Sequence, residues 1–424
     1  MATTSPSDSR IVALDTVRGF AVMGILAMNI VAFAMPFPAY VNPAAYGGDS
    51  GINLISWYLN FILIDGKMRG LFSILFGAST LLVIERTTKA GRGGAGAHYA
   101  RMAVLLLFGC LHFYFLWFGD ILALYALSGM VLYFFRKKSP KSLVGWAVGF
   151  MGLSMAFYGL VAWTAAIAGS PSLDPRTSSE LMEARRTVEK EVGPTSPKIE
   201  GDLKLYKSDY ATIVDSRLNK RTIEPFASFF SFGFETLGLM FIGMALFKSG
   251  FLTGAWEAAR YRKWLVTCSA ISIPILAALG LWIINSNFDP PLIFAAFIAI
   301  TPPFDTLMAI AWASLIILWL KGGGASALKD RVAAAGRMAF TNYLATSVVM
   351  TTIFYGYGFN LFGEVGRAAL WLFVLGMSGL MLLWSKPWLD RFHYGPLEWL
   401  WRTLSRGKLQ PMRKASATAA AAAV

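Results

Sequence analysis

The sequence predicts an all-α, polytopic membrane protein of about ten transmembrane helices with both termini cytoplasmic. Of its 424 residues, 56% are hydrophobic and only 15% charged, whereas soluble domains carry about 25% charged residues. Several apolar stretches approach the ~20 residues that a membrane-crossing helix needs. Basic residues collect in every second connection between them, as cytoplasmic loops require. Unbroken apolar runs exclude soluble enzyme folds and also a membrane β-barrel, whose strands would alternate polar and apolar residues. A net charge of +14 would suggest nucleic acid in a soluble chain; here it falls on loops, and the bilayer is the expected partner, with no nucleic acid. Cys110 and Cys268 both lie in apolar runs, so neither a disulfide framework nor a metal site is expected.

Apolar length and flanking charge place spans at 14–35, 70–84, 102–118, 121–135, 143–168, 226–247, 264–284, 303–320, 338–357 and 367–385. The first run is followed by Ala32-Phe33-Ala34, an A-x-A pattern, yet Asp8, Asp15 and Arg18 interrupt its leader, so an uncleaved first span is expected. Residues 52–66 are apolar but short and are expected as an interfacial or re-entrant helix feeding the second span. The connections after the second, fourth, sixth and eighth spans hold Arg86/Lys89/Arg92/Arg101, Arg136/Lys137/Lys138/Lys141, Lys248/Arg260/Arg262/Lys263 and Lys321/Lys329/Arg331/Arg337; all belong inside. The basic tail reaches the same side if the span count is even. Residues 170–224 carry ten basic and ten acidic residues, a neutral balance that suits an exported loop, and Ser179 to Glu191 reads as helix, so a small extracytoplasmic cap of two short helices is expected. Pro290 to Ile300 is too short to cross and is expected at the outer surface. Residues 386–424 form a cytoplasmic tail in which Pro396 to Arg402 is an interfacial anchor, with Trp399 and Trp401 at headgroup depth. The alanine-rich end, Ala417 to Ala423, is low in complexity. The whole chain, 1–424, is then one polytopic domain.

A charge near the bilayer centre costs about 2.5–3.5 kcal/mol on insertion scales, so ionisable residues inside spans are the informative ones. Asp15 and Arg18 open the first span and Asn29 lies near its far end; Arg18 and Asn29 share one helix face, about 16 Å apart. Arg101 and His112 repeat that eleven-residue spacing in the third span. If the two helices face each other, they line a polar path with a cationic inner mouth, suited to a phosphate-bearing molecule with a long thin arm such as an acyl-coenzyme A. His112 is the only histidine within a span, and Asp120 follows at the outer end; the pair can act as a base and its orienting group, while Asp120 alone suits a helix cap. Glu235, near mid-membrane, needs a cation, and Arg69, Lys67, Arg18 and His112 are the available ones. Thr341, Asn342 and Tyr343 suit helix-helix hydrogen bonding. No Walker-type loop, CxxC, HExxH or GxSxG occurs.

The opening RIVALDTVRGFAVMGILAMNI, the stretch LFGCLHFYFLWFGDILALYALSGM, the segment FETLGLMFIGMAL and the closing GRMAFTNYLATSV, FYGYG and RFHYGPLEWLWR together resemble the YeiB-like bacterial inner-membrane proteins, a family carrying a domain of unknown function. The opening Leu14-Asp15-x-x-Arg18-Gly19 also resembles the first helix of the broader transmembrane acyltransferase superfamily. That resemblance implies transfer of an acyl group from cytoplasmic acyl-coenzyme A to an acceptor across the membrane. In the bacterial sugar O-acyltransferases an arginine is followed by a catalytic histidine; Arg18 matches, and the histidine's place is taken by Asn29. In the lysosomal heparan N-acetyltransferase the histidine falls eleven residues further on, which here is Tyr40. His112 would then serve as a relocated base, with Asp120 orienting it, Asn29 holding the thioester oxygen, Asp15, Arg18 and Arg101 at the donor end and Glu235 a further carboxylate. The acceptor would be a glycan, lipid or small molecule bearing a hydroxyl or amine. The alternative is a proton-coupled transporter or lipid-handling protein using Glu235, His112 and Asp120 as a relay; a non-catalytic scaffold is the third reading.

Overall fold

The computed structural model describes residues 11–89, 91, 94–168, 175–324 and 326–414. Arg92, the alanine-rich end and the start of the predicted cap at 169–174 lie outside them. Eighteen helices follow one another among the described residues: α1 (Val12–Ala34), α2 (Phe37–Val41), α3 (Gly51–Leu63), α4 (Lys67–Lys89), α5 (Gly94–Phe115), α6 (Leu122–Phe135), α7 (Pro140–Ile167), α8 (Pro175–Val192), α9 (Pro197–Tyr206), α10 (Tyr210–Lys220), α11 (Glu224–Lys248), α12 (Ala258–Asn285), α13 (Pro290–Ala295), α14 (Pro302–Lys321), α15 (Ser326–Arg337), α16 (Ala339–Phe354), α17 (Leu370–Arg391) and α18 (Pro396–Arg406). A π-helical turn, Ala296–Ile300, prolongs α13. The only extended pairing among the described residues is a single bridge between Phe392 and Arg413.

Among the described residues eight segments are long and apolar enough to cross a membrane, α3 and α4 counting together as Gly51–Lys89. Each of the ten predicted spans coincides with a helix, but α6 and α16, at 14 and 16 residues, fall short of that length. The protein is therefore an all-helical, multi-pass membrane protein. Its lipid-facing surface is apolar: Phe157 and Trp163 on α7, Val266 and Trp282 on α12 and Leu372 and Leu383 on α17 are all more than half exposed. In water such a belt would aggregate; against lipid it loses nothing.

Helix α1 is the central post, buried on nearly every face, with α4, α14, α15, α16 and α17 packed around it. The approach of α15 is so close that a methyl group on Gly336 would sit 1.9 Å from the Asp15 carbonyl oxygen. Small residues at such crossings let backbones meet in lipid, where packing replaces the hydrophobic effect. The charged first turns of α15 have the pattern of a loop, yet Val332 to Gly336 are buried. On the other side α11 packs between α4, α6 and α7, and α12 lies along α14.

The predicted cap contains three helices, α8, α9 and α10, instead of two. Gly193 and Pro194 break α8 from α9 as expected, and Asp209 starts α10 by accepting the Thr212 N–H at 2.9 Å, a break that the sequence reading passed over. The cap is tied to the bundle from several directions. The Gly356 N–H donates to the Tyr206 carbonyl at 2.8 Å, Asn42 Nδ2 donates to the Val192 carbonyl at 2.9 Å, Phe37 N–H donates to Asp202 at 2.8 Å, and Arg185 pairs with Asp289 at 3.1 Å. At the end of the bundle opposite the cap, Trp401 of α18 donates to the Arg101 carbonyl at 3.0 Å and Trp399 to that of Gln410 at 2.8 Å. Both indoles are thus bonded to protein carbonyls.

Candidate functional site

Helix α5 ends at Phe115, and the N–H groups of Leu116 and Trp117 both return to the His112 carbonyl, at 2.9 and 2.8 Å. That tight end turns the chain back through Trp117-Phe118-Gly119 and sets Asp120 beside the histidine. Asp120 Oδ1 lies 2.8 Å from His112 Nδ1, and Asp120 Oδ2 accepts the Ala123 N–H of α6 at 2.8 Å. The aspartate therefore does both jobs read from the sequence, orienting the ring and capping the next helix. An ionised carboxylate only accepts, so opposite it Nδ1 is the donor, and the neutral ring then offers its Nε2 lone pair. That lone pair faces the hydroxyl of Ser347 on α16, 2.8 Å away. His112 and Ser347 are 1% exposed, and the side chain of Asp120 is equally buried.

The outcome is an unbroken Ser347–His112–Asp120 chain of hydrogen bonds, in the order used by serine acyl-transfer enzymes. Ser347 was missed in the sequence because one serine in the apolar run ATSVVMTT carries no signal, and 235 residues separate it from His112. Tyr343, one turn earlier on α16, lays its ring 5.2 Å from the imidazole. Beside Ser347 is a cavity of about 10 Å³ lined by Leu26, Asn29 and Phe33 of α1 and Tyr343, Thr346 and Ser347 of α16, room for about one water. A larger cavity of about 300 Å³ lies between Ile11 to Ala13, Gly254 and Lys321, away from this chemistry.

Asn29 lines the same small cavity as Ser347, the serine that bonds His112. Its Oδ1 accepts from the Tyr40 hydroxyl at 3.4 Å, and its Nδ2 has no partner among the described residues. Tyr40, at the position where the resemblance would put a histidine, donates its hydroxyl to Asn29. Burial, with Asp65 nearby, pushes its phenol well above the usual range. The Tyr40 hydroxyl also feels the charge of Arg69, which is paired with Glu235 at 2.7 Å. Of the four cations considered for Glu235, Arg69 is the partner. Lys67, 1% exposed, is held by Asp305 at 2.7 Å and by the Phe61 carbonyl. Both pairs are compensated, as buried charges must be.

At the opposite end, Arg18 is bonded to Asp15 at 3.1 Å and to the Ser79 hydroxyl of α4 at 2.7 Å, so it joins two helices and its charge is already balanced. Arg101 lies 4.4 Å from the Trp401 ring and within the electrostatic reach of Arg402 and Arg406. Burial, with Arg406 and Arg86 nearby, lowers the Arg402 guanidinium from its usual value. These arginines, two of them on α18, form a cationic cluster around the start of α5 that the sequence reading saw only through Arg101. Among the described residues no group of three metal-ligating side chains occurs.

A family model described as a protein of unknown function (DUF418) matches residues 246–408. The uncharacterized protein YxaH of Bacillus subtilis (strain 168) is 31% identical over 421 residues, covering 96% of this chain and 97% of that protein. The uncharacterized protein YeiB of Escherichia coli (strain K12) is 32% identical over 405 residues, covering 93% of this chain and 96% of that protein. An uncharacterized 39.9 kDa protein in the amylase 3' region of Bacillus acidopullulyticus is 25% identical over 412 residues, with 96% of both covered. No solved structure matches the chain. Likeness at this level, running nearly from end to end, makes the chain a member of the YeiB-like family of proteins of unknown function.

Proposed function

We propose that the protein is a transmembrane acyltransferase of the bacterial inner membrane, with ten spans, both termini cytoplasmic, acyl-coenzyme A as donor and an extracytoplasmic hydroxyl or amine acceptor. The observation that carries this reading is the Ser347–His112–Asp120 chain abutting the cavity that Asn29 lines. In that geometry Ser347 Oγ attacks the thioester carbonyl as its proton passes to His112 Nε2. The carbon–sulfur bond breaks, and the leaving thiolate takes the proton from His112. The acceptor then attacks the Ser347 ester, its proton passing through His112 back to Ser347 Oγ. Asp120 holds the tautomer and stabilises the imidazolium, and the Asn29 amide, which lines the same cavity as Ser347, is the donor proposed for the developing oxyanion. The donor's phosphates fit the cluster of Arg101, Arg402 and Arg406 better than Arg18, whose charge is already engaged. With space beside Ser347 for about one water, the acyl chain enters only as side chains such as Phe33 and Leu26 move aside.

Proton-coupled transport is the competing reading, favoured by the buried Lys67–Asp305 and Arg69–Glu235 pairs. Binding of a non-hydrolysable acyl-coenzyme A analogue to purified protein separates the two. The enzyme reading requires binding that weakens when Arg101 and Arg402 are both changed to Gln, and absence of any binding overturns it.

A further inference from the structure

The buried face of α10 consists of Ile213 and Arg217, one turn apart. A guanidinium there is unexpected, since a buried charge must be paired or hydrogen-bonded. Arg217 is 2% exposed, and its buried Nε and Nη2 have no hydrogen-bond partner. The carboxylates of this region are engaged elsewhere. Glu224 binds Arg221 through two bonds of 2.6 Å, Asp202 accepts the Phe37 N–H, Glu364 binds Lys207, and Asp209 caps α10. Arg217 acts electrostatically on the phenols of Tyr206, Tyr355 and Tyr357. Of these, Tyr355 is fully buried with its hydroxyl also unpartnered.

Nε and Nη2 are the two nitrogens on one edge of the guanidinium, the fork that meets two oxygens of a single oxyanion. With a phenol hydroxyl as a third donor, the set suits an oxyanion that presents three separate oxygens, as a tetrahedral phosphoryl group does. We infer that Arg217 and Tyr355, at the seam between the cap and the bundle, form a binding site for a phosphoryl group. The group belongs to a phospholipid headgroup or to a water-soluble phosphate, both of which present the same oxygens. Three rings join the site to the histidine: Tyr206 stacks on Tyr355 at 4.7 Å and on Phe118 at 5.6 Å, Phe118 touches Trp117, and Trp117 touches His112. On the acyl-transfer reading a phosphate held there belongs to the acceptor, but the site itself does not depend on that reading.

The test is thermal unfolding of detergent-purified full-length protein at constant ionic strength, without acyl donor. Inorganic phosphate replaces chloride in one arm, and a short-chain phosphatidylglycerol is titrated against phosphatidylcholine-free micelles in the other. Stabilisation by either probe that weakens about tenfold in apparent affinity in Arg217→Lys, which keeps the charge but loses the fork, and also falls in Tyr355→Phe, supports the site. A response to the lipid alone assigns the phosphate to a headgroup, and a response to phosphate assigns it to a soluble ligand. Arg217→Met should raise the unfolding temperature in chloride, because it removes an uncompensated buried charge. No stabilisation by either probe, stabilisation unchanged in both Arg217→Lys and Tyr355→Phe, or a lower unfolding temperature for Arg217→Met in chloride each overturns it.

Discussion

His112 divides its two nitrogens between an acid and an alcohol, and that division makes its substitution informative. His112→Gln preserves hydrogen-bonding capacity but cannot accept a proton at neutral pH. It is expected to insert normally and to bind acyl-coenzyme A, while transfer in a radiolabelled-acyl assay falls about a hundredfold or more. Ser347→Ala should stop formation of an acyl-protein adduct detectable by intact mass, and Asp120→Asn should retain more transfer than His112→Gln. Parent-like turnover by His112→Gln would remove it as the base. The histidine and its acid were legible in the sequence because one intramembrane histidine stood eight residues from one carboxylate at the end of an apolar run. Ser347 was not, since serines in spans serve equally well as helix-helix contacts. Glu235 could be read as needing a cation, but the choice of Arg69 required the packing of α4 on α11, which no local pattern encodes.

Among the elements, α16 shows how a short helix is held in place by another. Glu398 of α18 accepts the N–H groups of Phe340 and Thr341 at 2.8 and 3.0 Å and the Thr341 hydroxyl at 2.5 Å, supplying from a distant segment the cap that Met338 cannot. Glu398→Ala is expected to destabilise the protein by about 1–2 kcal/mol, the scale of a lost cap, seen as a lower unfolding temperature in detergent. Glu398→Gln should recover part of it. Because α16 carries Ser347, the same substitution should also disturb the site. At the crossing of α1 and α15, Gly336→Ala drives a methyl group into the Asp15 carbonyl and should cost about 1–3 kcal/mol or more. On the lipid face of α17, Gly376→Ala meets no neighbour within 4 Å and should be neutral or slightly stabilising. Comparing the two unfolding temperatures checks whether close approach, and not glycine content, is what matters. The long spans were legible from apolar length alone. α15 was hidden, because its buried stretch is only VAAAG and its charges mimic a loop.

For the molecule as a whole, orientation is what the proposed reaction needs most. On a cysteine-free background, cysteines at Lys138 and Arg262 should be shielded from impermeant thiol reagents in intact spheroplasts, while one at Lys198 in the cap should react. Labelling at Lys138 would invert the topology and remove a cytoplasmic donor. The sequence conveyed the alternation of charge, and hence the general architecture, because the positive-inside bias is written locally at each loop. How the cap sits on the bundle was not legible, because its ties come from Asn42, Asp289, Gly356 and Glu364, residues that only the complete fold brings together. Those ties also impose a schedule on biosynthesis. The cap emerges roughly 150 residues before the loop at Gly356 that receives Tyr206, so at 5–20 residues per second it waits on the order of ten seconds without its seat. During that interval the turn at Lys207 to Ser208, against whose backbone Gly356 packs in the finished fold, is open to proteases. A chain ended after Arg337 should therefore be cut in the cap by externally added protease under conditions that leave the full-length protein intact, so that protection of this turn reports completion of the fold during synthesis.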